Sequence, residues 1–433
     1  MRVYKPSGIE WLGEIPQHWE VTKFKYFYRS NMGETILTQD LETDGIPVYS
    51  ATEEDKFFGK IKNPVNILNV NDFVIPARGN SIGAIKIVKE KSTCTQTTIF
   101  SKQFKDINPY YVYYFLLGYR KFLFEFIQTA IPQITISQVN ENPIILPPLQ
   151  EQKEIAEFLD SKCEKIQNYI DKKQKLITLL QEKKQALINE AVCGRVACHT
   201  ADSHCHTERS EVSTTAYKDS DIEYLGLIPH HWEVRRVATL GNFFKGSNIS
   251  KNDLQDSGVC VVLYGDIYTK YEIKTKQFQS KIAENFAKNK TQILFGDLLF
   301  SGSGETKEDI GKCICYLGNE KAYVGGDVIV LRQMGQDSLF LSYVLNSDYI
   351  KYQKAVISKG EIIIHIYASN LRDLKIPLPP LHEQKEIAAF LDSKVAQIDS
   401  VIEKTKRQIE LIKEYKNTLI NEAVCGRINL ERK

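Results

Sequence analysis

The nonapeptide LINEAVCGR fills residues 187–195 and returns, letter for letter, at residues 419–427. The likeness extends upstream of both copies. Residues 146–195 align without a gap with residues 378–427, an offset of 232, and are identical at 31 of 50 positions. Repetition of this length indicates a structural element that the chain builds twice.

A second repeated stretch heads each half. IEWLGEIPQHWEV at residues 9–21 returns as IEYLGLIPHHWEV at residues 222–234, an offset of 213. The bodies that follow hardly resemble each other, and the second is longer by 19 residues (232 minus 213). Short β-branched runs between turn residues, together with aromatic amphipathic stretches, predict a mixed α/β body in each half.

The repeated tail predicts a long helix, because its apolar residues recur in alternating steps of three and four, the period of a coiled coil. Gly194 and Gly426 suit the left-handed position that ends a helix, and the arginines after them are expected to favour its carbonyl end. The simplest arrangement pairs the two helices, and the alternative packs each on its own domain. The predicted seam is Ile166, Ile170, Ile177, Leu180, Leu187, Ile398, Ile402, Ile409, Ile412 and Leu419.

The composition of the 433 residues, 42% hydrophobic and 25% charged, predicts a soluble globular protein. No apolar run approaches the roughly 20 residues of a membrane span. The nine cysteines form no disulfide framework, so we expect a cytoplasmic setting. The net charge of +2 neither demands nor excludes nucleic acid. A DNA-binding protein of this charge needs basic loops, or partners that carry part of the phosphate load.

Several patterns imitate catalytic or metal sites. NPYY at residues 108–111 lacks the second proline of an adenine-binding loop, and SGSG at residues 301–304 is weak as a cofactor loop. Asp266, Glu272 and Lys274 offer only a crude nuclease match. No GxxxxGK[ST] phosphate loop exists. We therefore predict no catalytic residue and no cofactor in this chain.

The polar segment between the halves predicts a flexible linker. Its cysteines and histidines match the spacing of no standard zinc finger, so no metal site is predicted. These residues are Cys198, His199, His204, Cys205 and His206.

Turns in both bodies carry the residue types that hydrogen-bond base edges, with glycines that let backbone approach phosphate. The alternative interpretation is that they are ordinary solvated loops. The candidate DNA contacts are Arg78, Asn80, Ser81, Gln96, Thr97, Thr98, Ser301, Ser303, Lys307 and Lys359.

The signature that heads each half, together with LPPLxEQKEIAxFLDSK…LINEAVCGR that closes it, resembles the DNA-specificity subunit of type I restriction-modification enzymes. The resemblance implies an α/β (mixed α+β) fold: two target recognition domains and two long near-identical helices that form an antiparallel coiled coil, with a pseudo-two-fold internal repeat. The predicted boundaries are 1–145 for the first recognition domain, 146–195 for the first helix, 196–218 for the linker, 219–377 for the second recognition domain and 378–433 for the second helix.

The resemblance also implies a function. Each recognition domain would read one half of a bipartite site in double-stranded DNA, and the helices would set the gap between the halves. The chain would be non-catalytic and would scaffold two methyltransferase and two restriction subunits. Those partners would use S-adenosylmethionine, ATP and Mg²⁺. The alternative is a coiled-coil scaffold or adaptor that binds protein partners without reading DNA.

Overall fold

Two compact units make up the fold, and they do not follow the two halves of the sequence. The computed structural model describes residues 3–52, 56–79, 81–124, 133–195, 216–360, 363–428 and 430. Each long helix is divided between the units, so each unit contains part of both. Unit 1 is Met1–Lys175 with Thr405–Lys433, and unit 2 is Leu176–Lys404. The boundaries predicted along the sequence stay a prediction, and residues 196–215 of the predicted linker lie outside the described residues.

The first body consists of short strands followed by helices. Its strands are β1 (Tyr4–Pro6), β2 (Glu14–Pro16), β3 (Glu20–Lys23), β4 (Tyr28–Met32), β5 (Ile46–Tyr49), β6 (Phe57–Ile61), β7 (Phe73–Pro76), β8 (Lys86–Ile87), β9 (Thr93–Cys94), β10 (Thr98–Gln103) and β11 (Pro143–Leu146). Its helices are α1 (Pro109–Leu123) and α2 (Ile136–Glu141), and the long helix α3 (Leu149–Val192) follows.

The second body has more strands. They are β12 (Tyr217–Asp219), β13 (Leu227–Pro229), β14 (Glu233–Arg236), β15 (Gly241–Lys245), β16 (Leu254–Gln255), β17 (Val259–Val262), β18 (Lys274–Thr275), β19 (Lys281–Ile282), β20 (Gln292–Ile293), β21 (Leu298–Ser301), β22 (Ser303–Gly304), β23 (Cys313–Tyr316), β24 (Ala322–Val324), β25 (Val328–Gln333), β26 (Ile364–His365) and β27 (Lys375–Leu378). Its helices are α4 (Tyr264–Thr269), α5 (Glu284–Ala287), α6 (Ser338–Leu345), α7 (Asp348–Ile357) and α8 (Ala368–Asp373), and the long helix α9 (Leu381–Val424) follows.

Each body contains a sheet with the same order of four strands, although the two sequences differ; we call this the shared sheet. The first has the order β4-β10-β7-β8, and the second has the corresponding order β15-β25-β21-β23 with β18 added. The pairs within both four-strand sets are antiparallel. The central strands β7 and β21 are buried along their whole length, which agrees with their nearly continuous apolar runs. The extra length of the second body accompanies a second five-stranded sheet, β16-β19-β17-β24-β20.

The aromatic amphipathic stretch of the second body, residues 337–353, does not form one continuous helix. It forms two helices, α6 and α7, which are separated at Asn346 and Ser347. The Asn346 amide is bonded to the backbone of Cys313: its nitrogen donates to the Cys313 oxygen at 2.6 Å, and its Oδ1 accepts from the Cys313 nitrogen at 3.0 Å. This tertiary bond holds the chain at the position where the helix is interrupted.

The two long helices form an antiparallel coiled coil. All ten predicted seam side chains are buried or half-buried. In unit 2, Lys184 Nζ donates to Asp399 Oδ1 at 2.8 Å; in unit 1, Lys416 Nζ lies 3.4 Å from Gln167 Oε1. Both bonds fit one register, because the spacing from Gln167 forward to Lys184 along α3 equals the spacing from Lys416 back to Asp399 along α9.

The end of α9 is built into unit 1. Gly426 has a φ of +70°, which a glycine adopts without strain, and the Arg427 nitrogen donates back to the Glu422 oxygen at 2.9 Å. A Cβ at Gly426 would lie 2.6 Å from Pro16 Cγ and 2.7 Å from Trp19 Cη2. The helix therefore ends with backbone pressed against the first signature, where no larger residue fits.

The end of α3 is built into unit 2 in the same way. Gly194 also has a φ of +70°, and a Cβ there would lie 2.5 Å from Pro229 Cγ and 3.0 Å from Trp232 Cζ2. The arginines that follow the glycines also contact the signatures: Arg195 Nη2 donates to the Leu225 oxygen at 2.6 Å, and Arg427 Nη2 donates to the Leu12 oxygen at 2.8 Å. Each nonapeptide thus docks on the signature of the opposite half.

The tryptophan of each signature, which contacts the end of one long helix, also hydrogen-bonds to a glutamate at the start of the other. Trp19 is fully buried, and its indole Nε1 donates to Glu151 Oε2 at 3.2 Å. In unit 2, Trp232 Nε1 donates to Glu383 Oε2 at 2.9 Å. A buried indole N–H needs such an acceptor, so these glutamates fix where each helix begins.

The neighbouring glutamine ties each long helix to its body. Gln152 Nε2 donates to the Pro147 oxygen at 2.8 Å, and its Oε1 accepts from the Asn108 nitrogen at 2.9 Å. Asn108 is the N-cap of α1. Gln384 accepts equally from the nitrogen of Asp337, the N-cap of α6, at 3.0 Å. The repeated glutamate–glutamine pair therefore joins signature, body and helix.

In the part of the chain that the structure describes, no helix is long and apolar enough to cross a membrane.

We predict that Gly426→Ala destabilises unit 1 more than Gly8→Ala does. Both glycines have positive φ, but a Cβ at Gly8 meets nothing within 4 Å, so the control carries only the backbone strain. The clash with Pro16 and Trp19 should add about 1–3 kcal/mol. Denaturant titration of both variants measures the difference, and equal losses would contradict the docking of the helix end.

Candidate nucleic-acid interface

Each body carries a hairpin loop at the end of its central strand. In the first, the loop between β7 and β8 closes where the Gly83 nitrogen donates to the Pro76 oxygen at 2.9 Å. In the second, the loop after β21 closes where the Ser301 nitrogen donates to the Lys312 oxygen at 3.0 Å. We call these the first and second hairpin loops and define them by the described residues 77–79, 81–83 and 302–311. They correspond, since each follows the middle strand of the shared sheet.

A short stretch of chain lies beside the start of each hairpin loop. Arg78 pairs with Gln133 in the first body, and Ser303 pairs with His365 in the second. Lys359 pairs with His365 on its other side. The structure thus brings the predicted contacts Ser303 and Lys359 to the two sides of one histidine.

Gln133 and His365 were missed from the sequence, although a signal for them exists. The offset of 232 that aligns the tails also aligns these two residues, upstream of the repeated LPPL. It aligns the capping boxes after them as well, at Thr135 with Gln138 and at Tyr367 with Asn370. Extending the ungapped alignment upstream of LPPL as far as Gln133 would have placed both residues in the duplicated part of the chain. We call this part the frame: the signatures at residues 9–21 and 222–234 and the aligned stretches at residues 133–195 and 365–427.

A cation from the helices holds the end of each hairpin loop. Arg120 Nη2 donates to the Ile82 oxygen at 2.7 Å in the first body. Lys354 Nζ donates to the Gly311 oxygen at 2.5 Å and to the Leu345 oxygen at 2.7 Å in the second. Both loops therefore end with an Ile–Gly pair, one carbonyl of which is bonded to a basic side chain.

Lys354 is 1% exposed, and burial lowers the pKa of its ammonium from 10.5 to about 8. Burying a cation is costly unless it is hydrogen-bonded, and the two backbone carbonyls provide that compensation. Its Nζ also lies 5.6 Å from the centroid of the Phe300 ring. The Lys354 ammonium thereby joins the end of the second hairpin loop to the last residue of α6.

The other predicted contacts differ in exposure. Arg78, Lys307 and Lys359 are exposed, Ser81, Gln96 and Thr97 are half-buried, and Asn80 lies outside the described residues. The Ala77 nitrogen donates to the Thr97 oxygen at 2.9 Å, which brings the turn that carries Gln96 and Thr97 beside the first hairpin loop.

The hydroxyl groups of the remaining predicted contacts have partners inside the protein. Thr98 Oγ1 donates to the Thr95 oxygen at 2.7 Å, and Ser301 Oγ donates to the Ser303 oxygen at 2.8 Å. Ser303 Oγ lies 3.0 Å from His365 Nδ1. Thr98, Ser301 and Ser303 are buried, so DNA contact by these hydroxyls stays a prediction that requires them to exchange partners.

The patterns that imitate active sites have structural roles. Asn108 Oδ1 caps α1 by accepting from the Tyr111 nitrogen at 3.0 Å. Asp266 Oδ1 pairs with Lys270 at 2.8 Å, while Lys274 pairs with Asp392, so the crude nuclease match does not converge. Among the described residues, no group of three or more histidine, cysteine or acidic side chains could hold a metal ion. The histidines and cysteines of the predicted linker lie outside those residues.

The duplication of the chain agrees with a family comparison. The model of the type I restriction modification DNA specificity domain matches this chain twice, at residues 16–197 and 229–411. The two matches cover most of the chain. The protein therefore belongs to the type I restriction-modification DNA-specificity family, as the resemblance of its repeated motifs indicates.

Named relatives extend this result over the full length. The chain is 26% identical to the MjaVIII specificity subunit of a type I restriction enzyme from Methanocaldococcus jannaschii, over 100% of this chain and 98% of that protein. It is 25% identical to the EcoKI specificity subunit from Escherichia coli strain K12, over 47% of this chain and 44% of that protein.

A solved structure shares the fold. It is described as the structural basis of complex assembly and conformational transition of the type I R-M system, and it matches with a TM-score of 0.65 at 15% identity. The match covers 96% of this chain and 99% of that one. The fold of this chain is therefore shared with that structure over nearly the full length of both.

We predict that the free energy of unfolding rises between about pH 8 and pH 10.5 through Lys354. In this window the unfolded lysine binds a proton that the folded one releases, so raising the pH removes a penalty on the folded state. Lys354→Met should lose this part of the slope, whereas Lys375→Met, at an exposed position, should keep it. Denaturant titrations at pH 8, 9 and 10 test this, and equal slopes in all three proteins would refute it.

Proposed function

We propose that this chain reads a bipartite, asymmetric site in double-stranded DNA for a type I restriction-modification complex, with one body for each half-site. The observation that carries the proposal is a set of three structural features that occurs in both bodies. Both bodies have a hairpin loop, a neighbouring strand position and a basic anchor, yet the residues differ: Arg78 and Gln133 in one, Ser303 and His365 in the other. Equal scaffolds with unequal side chains suit two different short sequences.

The predicted contacts divide by their exposure. The exposed cations Arg78, Lys307 and Lys359 suit phosphate oxygens, which fix register. The half-buried Gln96 and Thr97, beside the first hairpin loop, suit base edges, although Gln96 Oε1 also accepts from the Ile36 nitrogen at 3.2 Å and Thr97 Oγ1 lies 2.9 Å from Thr95 Oγ1. The net charge of +2 supports a division of the phosphate contacts between this chain and its partners.

The long helices set the gap between the half-sites in this proposal. An α-helix advances about 1.5 Å per residue, so a paired helix of fixed register is a stiff spacer. Two linked readers bind tightly only when the gap matches, because otherwise they cannot engage at once. The shared register of the two cross-helix bonds supports this role.

The partners would be two methyltransferase subunits, joined by two restriction subunits. Apolar side chains are exposed at equivalent positions of both long helices, with Tyr169 matched by Val401 and Leu179 matched by Leu411 at the offset of 232. A feature repeated in this way supports one kind of partner that docks twice. The complex would act in the cytoplasm.

The chemistry would belong to those partners. A methyltransferase subunit would flip an adenine of each half-site out of the stack and methylate it with S-adenosylmethionine. The restriction subunits would use ATP and Mg²⁺. This chain would be non-catalytic and would supply position and sequence specificity alone.

The alternative is a coiled-coil adaptor that binds proteins and no DNA. Gel retardation by the chain with its methyltransferase partner discriminates the two functions. Retardation of one bipartite sequence over scrambled DNA supports the reader, whereas complex formation without any DNA selectivity supports the adaptor.

We predict that replacing residues 24–142 by residues 237–374 of the same chain gives a site that is an inverted repeat of the second half-site. Both junctions lie at the end of one strand ribbon, because Lys23 pairs with Pro143 and Arg236 pairs with Lys375. The frame should therefore accept the exchange. Mapping methyladenine across a genome, with the methyltransferase partner co-expressed, returns both half-sites. The reciprocal exchange is the control and should duplicate the first half-site; a motif unchanged by both exchanges would sink the proposal.

We predict that deleting residues 173–179 together with residues 404–410 shortens the gap by about three base pairs. The two heptads face each other in the observed register, so their joint removal keeps the pairing and shortens the rod by about 10 Å. The same methylation mapping measures the gap. Deleting one heptad alone breaks the register and should abolish methylation, and a double deletion that methylates with the original gap would rule out the spacer.

A further inference from the structure

Gln133 and His365 occupy one place in the duplicated frame and differ in chemistry. Both precede the repeated LPPL at the same spacing, and each pairs with the start of its hairpin loop. The isoleucine after each is buried: Ile134 is 3% exposed and Ile366 is 2% exposed. The frame therefore fixes the backbone on one side of this position, while the residue type is free to differ between the bodies.

The His365 ring is held in a defined orientation. Its Nδ1 lies 3.0 Å from Ser303 Oγ, and its ring lies nearly parallel to Tyr367, with centroids 6.5 Å apart and an angle of 20°. No described residue hydrogen-bonds to Nε2. Since one ring nitrogen is engaged, the other can meet an acceptor or donor of a base with little loss of side-chain entropy.

Gln133 offers the counterpart in the first body. It is exposed and is paired through its backbone with the exposed Arg78. A glutamine amide can bond the N6 and N7 atoms of adenine together, a pattern that no other base presents in the major groove. Gln133 therefore suits contact with a base edge, while the neighbouring Arg78 suits contact with a phosphate oxygen.

The basic anchors show that the loops beside these residues are held in place. Arg120 comes from α1 and Lys354 from α7, yet both donate to a carbonyl of the Ile–Gly pair that ends their hairpin loop, Arg120 to Ile82 and Lys354 to Gly311. Two bodies of different sequence thus use different cations at the same end of corresponding loops. Fixing the loop end limits where the neighbouring reading position can lie relative to DNA.

We propose that Gln133 and His365 are specificity-determining residues that contact one base pair in the first and second half-site, respectively, and that Arg120 and Lys354 are positioning residues for the loops beside them. This inference rests on the proposed DNA-reading function and names positions within it. It gives the same role to two residues of different type. It therefore predicts that the two half-sites differ at the base pairs that Gln133 and His365 contact.

The test uses the full chain assembled with its methyltransferase partner. His365→Ala should relax one base position of the second half-site by roughly 10- to 100-fold in discrimination and leave the first unchanged. Gln133→Ala should do the converse. Methylation mapping gives the motifs, and binding competition with single-base-substituted duplexes gives the discrimination. His382→Ala and Gln150→Ala, at exposed positions outside the loops, are the matched controls and should preserve both half-sites.

The exchanges Gln133→His and His365→Gln guard against variants that simply fail to fold, because they keep a polar side chain. Each should change the preferred base at one position of one half-site. If all four variants fold, as judged by thermal unfolding, and keep the wild-type motif, the inference is overturned. The body exchange then separates the two failures: a motif that still follows the exchanged body leaves the proposed function intact.

The positioning residues need a separate readout. Arg120→Met and Lys354→Met should each reduce discrimination in one half-site only, at unchanged affinity for scrambled DNA. Arg120→Lys restores a donor and should recover part of the discrimination. A merely structural role would lower thermal stability and weaken binding to all duplexes alike, and this result would remove Arg120 and Lys354 from the proposal.

Discussion

The frame of this protein depends on two buried indoles that are held from two sides. Trp19 is fully buried, so its N–H must find an acceptor, and Glu151 at the start of α3 provides one. The opposite constraint is steric, because the backbone at Gly426 lies where no Cβ fits against the ring. One side chain thereby locates the start of one long helix and the end of the other within unit 1. Trp232 does the same in unit 2 with Glu383 and Gly194.

This arrangement explains why the two copies of the frame agree so closely while the bodies do not. The glutamate, the tryptophan and the glycine meet at one indole, so a change in one has to suit the other two. The bodies meet the frame at the glutamine bonds to the N-caps at Asn108 and Asp337 and through buried helix packing, in which Tyr111 Oη donates to the Val424 oxygen at 3.2 Å. Between those points the shared sheet tolerates extra strands and a longer second hairpin loop. A reader of DNA needs this separation of a fixed support from variable contact residues.

Local patterns in the sequence predict some features of the structure well and others poorly. The heptad seam, including Ile170 and Ile402, follows from spacing alone, because helix periodicity is a local property. The loop predictions were less informative. Residue type marked Ser301 and Ser303 as contacts, but the sheet buries both and occupies their hydroxyls. His365 was missed because Ser303, the partner of its ring nitrogen, lies 62 positions earlier in the chain. An alignment of the two halves could have found its place, though not its partner Ser303.

The sequence by itself determined that the chain is built twice, that each half ends in a long amphipathic helix, and that the repeated motifs belong to a DNA-specificity family. The repeat is visible when the chain is compared with itself, the helix follows from the spacing of its apolar residues, and the family is indicated by the resemblance of the repeated motifs. Only the tertiary structure decided that each LINEAVCGR docks on the signature of the opposite half, with Gly194 against Trp232 and Gly426 against Trp19. The physical reason is that an antiparallel pair of helices places the end of each beside the start of the other. Steric fit and hydrogen bonds between residues distant in the chain, 38 positions apart for Gly194 and Trp232 and 407 for Gly426 and Trp19, then select the contacts, and no local pattern records them.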